Sequence, residues 1–94
     1  MPTMQALDPA LTPAQVVAEF GDAERSVVAA CMDLYQGQWD DMAEDIRRRQ
    51  AGRPYLFRLA IEPGQALAWV EQFKAYEVAR GARLGDALPS EDAR

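Results

Sequence analysis

The chain reads as a mainly α domain with one short strand, a small helix, helix, strand, helix arrangement. Three observations predict this class: two long stretches of helical apolar period, a third one near the C-terminal end, and a single run of strict alternation between them.

The first helix starts at Thr12. There Thr12-Pro13-Ala14-Gln15 combines an N-cap hydroxyl, a proline at the first helical position, and a Gln three residues after the cap. With about 100° per residue, Val16, Phe20, Ala23, Val27, Cys31 and Leu34 share one arc, flanked by Val17, Val28 and Tyr35. The phase passes through Gly21 without a reset, which predicts one helix over about 13–36 with an interior glycine costing about 1 kcal/mol. The alternative is a stop at Gly21 and a new start at Asp22. Glu24 falls inside the apolar arc of the continuous helix, so an arginine must meet it, or the helix breaks, or that face opens to a partner.

Gly37 suits a C-terminal cap, and a second amphipathic helix is expected over about 38–51, with Trp39, Ala43 and Ile46 aligned and Met42 beside them. Asp40 and Asp41 lie in its first turn and Arg47, Arg48 and Arg49 in its last, as the helix dipole favours. Gly52 and Pro54 end it. From Tyr55 to Glu62, Tyr55, Phe57, Leu59 and Ile61 alternate with Leu56, Arg58, Ala60 and Glu62, the pattern of a half-buried strand. Pro63-Gly64 then turns the chain into a helix over about 64–80, with Ala66, Trp69, Val70, Phe73 and Tyr76 as its stripe and Gly81 as its stop. Residues 12–81 therefore read as the domain, 1–11 as a flexible arm and 82–94 as a flexible tail.

Composition restricts the function. Apolar residues are 49% of the chain and charged residues 27%, a balance that supports a folded core rather than acidic disorder. The formal charge of -5 and a pI near 4.6 repel polyanions, which makes nucleic acid a disfavoured partner. One cysteine, Cys31, gives no disulfide framework. No segment resembles a membrane span or signal peptide, so a cytoplasmic location is expected. Nine of the ten basic residues are Arg, a bias expected of a GC-rich bacterial or phage genome.

Histidine is absent, which removes the commonest general base and metal ligand, and neither Ser26 nor Ser90 has a base in view. No enzyme activity and no cofactor are expected. The acidic turn of Asp40, Asp41, Glu44 and Asp45 allows a divalent-metal helical hydrolase as an alternative, although Glu44–Arg48 and Asp45–Arg49 read more simply as solvated i, i+4 ion pairs. The cluster Arg47–Arg49, with Arg53 and Arg58, allows a dimeric nucleic-acid-binding accessory protein as another.

The leading expectation is a small acidic interaction domain, a regulator, inhibitor or assembly factor of a larger protein. A lone strand leaves backbone groups unpaired and calls for a partner: the arm near Met4–Leu7, the tail near Ala82–Leu88, a second copy in a homodimer, or a foreign strand. The residues expected to face that partner are Arg47, Arg48, Tyr55, Phe57, Arg58, Trp69, Phe73 and Tyr76.

Overall fold

The computed structural model describes residues 7–88. Within them lie four α-helices, α1 Pro13–Ala18, α2 Asp22–Tyr35, α3 Trp39–Gln50 and α4 Pro63–Arg80, followed by a 3-10 helix, Leu84–Ala87, and no strand. The capping box at Thr12 forms as expected: Gln15 N–H donates to the Thr12 hydroxyl oxygen at 3.2 Å, and Thr12 N–H donates to Gln15 Oε1 at 2.8 Å.

The continuous helix over 13–36 is not formed. α1 stops at Ala18, and Gly21 becomes the N-cap of α2 with extended ψ of -175°. Asp22 and Glu24 then lie in the first turn of α2, where the dipole favours carboxylates. Phase survived the break because both helices turn the same side to one core: Val16, Val17 and Phe20 from α1 and its exit, Val27, Val28, Cys31 and Tyr35 from α2. The inward arc of α2 runs through Tyr35, so Leu34, expected inside, is exposed. Arg25 ties the two helices by donating from Nη2 to the Val17 carbonyl at 3.3 Å.

α2 ends at Gln36, whose φ of 52° is left-handed, and Gly37 follows at φ 78°. The helix-to-helix turn therefore needs two successive positive-φ residues, and a Cβ on Gly37 would also lie 2.8 Å from the Arg83 guanidinium. α4 ends as expected at Gly81, φ 76°.

α3 against α4 is the most extensive helix contact. Met42, Ala43 and Ile46 meet Ala66, Val70, Phe73 and Tyr76 in a single apolar cluster. The Phe73 ring lies 5.1 Å from Phe20 and 5.5 Å from Trp39, centroid to centroid, so α1, α3 and α4 converge on it. Lys74 pairs with Asp40 across the same two helices.

Neither flank behaves as free arm or tail over its described part. Tyr76 Oη donates to the Leu11 carbonyl, and Arg80 Nη1 donates to the carbonyls of Pro9 and Ala10 at 3.2 and 3.3 Å. Beyond Gly81 the chain folds back, buries Leu84 and packs the 3-10 helix on α1 and α2. Glu77 fixes that return, accepting from Trp39 Nε1 and from Leu84 N–H, each at 2.8 Å. The remainder of the expected arm and tail lies outside the described residues.

The break at Gly21 has a direct test. At an N-cap, Ser outranks Ala by about 1 kcal/mol, and Gly21→Ser also completes a capping box with Glu24 three residues on. Urea denaturation should find Gly21→Ser more stable than Gly21→Ala by that amount. Inside a continuous helix Ala wins, and the reverse order would restore the single helix.

Candidate functional site

Residues 53–62 form the segment between α3 and α4, and no strand is assigned there. The expected strand is corrected accordingly. Its alternation is nevertheless real: Phe57 is buried and Leu59 and Ile61 are half-buried, while Leu56, Arg58, Ala60 and Glu62 face out. Period two thus recorded which side chains enter the core, whereas the backbone found another way to satisfy its groups.

That way is Asp45. Its side chain, on α3 three residues after Met42, is only 3% exposed. Asp45 Oδ2 accepts from Tyr35 Oη at 2.6 Å and from Phe57 N–H at 2.7 Å, and Leu56 N–H reaches both carboxylate oxygens at 3.0 Å. A carboxylate offers acceptors only, so three converging donors suit it, and charge-assisted bonds of this kind are roughly twice as strong as neutral ones. The exposed Asp45–Arg49 ion pair expected from spacing is therefore absent. Asp45 turns inward and Arg49 is released to a different task. Its guanidinium stands 5.4 Å from the Tyr55 ring centre and 5.5 Å from that of Phe57, and Nη1 donates to the Leu59 carbonyl at 3.4 Å.

The other acidic residues of that turn do not gather with it. Asp40 goes to Lys74, and Glu44 pairs with Arg48 at 2.6 Å, as the i, i+4 spacing predicts. No group of three or more potential metal-ligating side chains forms among the described residues.

The remaining expected partner residues divide. Phe57, Phe73 and Tyr76 are buried in the core and give no contact surface, which corrects their assignment. Trp69 is half-buried beside that core. Arg47, Arg48, Tyr55 and Arg58 are exposed. Sequence reasoning missed Leu56, the most exposed large apolar side chain of the segment at 56%. The signal was there: in an alternating run the polar parity carried one leucine.

What surrounds Leu56 is open backbone. Among the described residues, the N–H groups of Tyr55, Arg58, Leu59, Ala60, Ile61 and Glu62 have no protein acceptor. The described part of the tail, through Leu88, does not pair with them, since its 3-10 helix packs on α1 and α2 instead. Arg53 and Arg58 make no ion pair among the described residues, and Arg47 reaches Glu71 only at 3.9 Å on an exposed face. An open concavity of about 340 Å³ lies by α1, where Leu7, Leu11, Val16 and Phe20 are rimmed by Asp8, Glu19 and Glu24.

Two weak acids on α2, Cys31 and Tyr35, are buried in the core. Burial, with Glu77 second, pushes the Cys31 thiol from its ordinary 9.0 up to about 12. Burial also raises the Tyr35 phenol, helped by its hydrogen bond to Asp45 and the charge of that carboxylate. Such a thiol is an inert core group.

No protein family, curated protein or solved structure matches this chain.

Asp45→Ala strands three donors, each costing about 1–3 kcal/mol, so denaturation should show a loss of roughly 3 kcal/mol or more. Tyr35→Phe should cost about 1 kcal/mol alone and close to nothing in the Asp45→Ala background. Equal costs in both backgrounds would show that the hydroxyl and carboxylate are uncoupled.

Both acids are held neutral in the fold and ionise more readily when unfolded, so their contribution is fully present below the unfolded pKa values. It is lost as pH rises through 9.0 and 10.0 toward the folded values. Stability measured in urea should fall across that window, less steeply for Tyr35→Phe. A flat profile would contradict the burial of both groups.

Proposed function

We propose that the chain is a small acidic protein-interaction domain that regulates, inhibits or helps assemble a larger protein, without catalysis of its own. One observation carries this reading. Between Tyr55 and Glu62, six backbone N–H groups, all but those of Leu56 and Phe57, have no protein acceptor among the described residues, and Leu56 and Tyr55 stand exposed on the same stretch. Edges of this kind bind extended segments of other chains through main-chain hydrogen bonds, with side chains at alternate positions supplying selectivity.

The anchoring of the stretch supports the same reading. Asp45 fixes its start, Phe57 anchors its middle, and Arg49 holds the Leu59 carbonyl, so its ordering entropy is largely met before a partner arrives. An edge already held in place binds better than a loop that must be ordered on contact.

The test compares tagged wild type with Leu56→Ser in affinity capture from the native host, read by quantitative mass spectrometry. Leu56 is solvent-facing, so the substitution should leave the circular dichroism spectrum unchanged. A protein retained by wild type and depleted at least about tenfold with Leu56→Ser is expected, since one apolar anchor at an interface centre is worth 1–2 kcal/mol or more. Identical captured sets would contradict the assignment of this edge.

A further inference from the structure

The charge of the chain is unevenly placed. Residues 46–61 contain Arg47, Arg48, Arg49, Arg53 and Arg58 and no carboxylate. Half of the ten basic residues therefore sit in this stretch, and the rest of the chain sets five against fifteen acidic residues, a formal +5 beside -10. The open segment, up to Ile61, belongs to this basic stretch, bounded by Asp45 and Glu62, of an acidic protein.

Three of these guanidiniums are already engaged, Arg47 with Glu71 at 3.9 Å. Arg48 is paired with Glu44, and Arg49 lies over Tyr55 and Phe57. Arg53 and Arg58 are exposed and have no ion pair among the described residues, one at the entrance of the segment and one in its middle. Arg53 also borders an open depression of about 410 Å³ with Arg47, Arg48 and Ala51, whose other charged wall is Glu44. Arg53 and Arg58 stand five positions apart along the segment, so acidic side chains of a strand laid beside it must meet them at positions of opposite parity.

We infer that the occupant of this edge is an extended, acidic segment of a partner protein, with Asp or Glu interspersed among apolar residues. This rests on the interaction reading above and names the chemistry of the partner. Its backbone carbonyls take the free N–H groups of the segment, its carboxylates meet Arg53 and Arg58, and its apolar residues cover Leu56. A second copy of this chain fits less well, because it brings five more arginines to the same edge, and like charges facing each other across paired strands destabilise them. A polynucleotide meets the arginines but runs past a basic stretch this short onto a surface of net charge -10, and it offers no backbone ladder to the N–H row.

The test uses the full chain and a fluorescein-labelled nonapeptide of interspersed Glu and Val that includes two Glu five positions apart, with anisotropy for affinity and ¹⁵N–¹H NMR for location. Binding should shift the amides of Arg58, Leu59, Ala60 and Ile61, weaken with added salt, and fall about tenfold for the double variant Arg53→Ser, Arg58→Ser, two exposed ion pairs being worth up to about that much together. The same peptide with its Val amides N-methylated, and the peptide with Lys for Glu, should not bind. No binding of the Glu peptide, or equal binding of the N-methylated form, overturns the inference. So does tighter binding of a nonamer of thymidine at these amides, which assigns the edge to nucleic acid. Sedimentation equilibrium showing a dimer that Ala60→Arg dissociates assigns it to a second copy and also overturns the inference. If the peptide fails while host capture still depends on Leu56, the interaction reading stands and only the acidic chemistry falls.

Discussion

The carboxylate of Asp45 is the interaction on which the arrangement of this protein depends. It gathers the end of α2, the middle of α3 and the start of the segment before α4 at one buried point. A chain segment that enters a core must satisfy its backbone, and sheets do so by pairing. Here one side chain accepts two consecutive N–H groups, which lets Phe57 pass into the core without a second strand. The same economy leaves the later N–H groups of the segment open to solvent, so the feature that permits the fold also creates the edge.

The rest of the core is closed by polar ties from α4. Tyr76 and Arg80 hold residues 9–11, and Glu77 holds Trp39 and Leu84. These bonds bring both flanks onto a core that a chain of 94 residues could not otherwise close well, because small domains bury a low share of their surface. Each tie adds about 1 kcal/mol net, so their structural effect is to fix positions rather than to supply the bulk of stability.

Local signals in the sequence were legible. The capping box at Thr12, the acidic start and basic end of α3, the stop at Gly81 and the apolar stripe through Val70 and Phe73 all depend on neighbours within a turn or two. What failed depended on contacts between distant residues. The run alternates from Phe57 on because one parity enters the core, although Tyr55 of that parity stays exposed, and alternation does not disclose whether a ladder or a side chain satisfies the backbone. Asp45 looked like a surface partner of Arg49, since the donors that draw it inward lie ten to twelve residues away. Gly21 reads as interior rather than as the break that was its alternative, because α1 and α2 face the same core and keep one apolar phase. For the candidate site, the exposed arginines and Tyr55 were visible in sequence, whereas the burial of Phe57, Phe73 and Tyr76 and the exposure of Leu56 required the packed structure.

Amide hydrogen exchange followed by NMR across residues 53–62 tests the role of Asp45 most directly. The geometry predicts strong protection of Leu56 and Phe57, whose N–H groups end on the carboxylate, beside near-unprotected Arg58 and Ala60, with the first pair losing protection in Asp45→Ala. Uniform exchange along the whole segment, or protection at Leu56 and Phe57 that survives removal of the carboxylate, would contradict it.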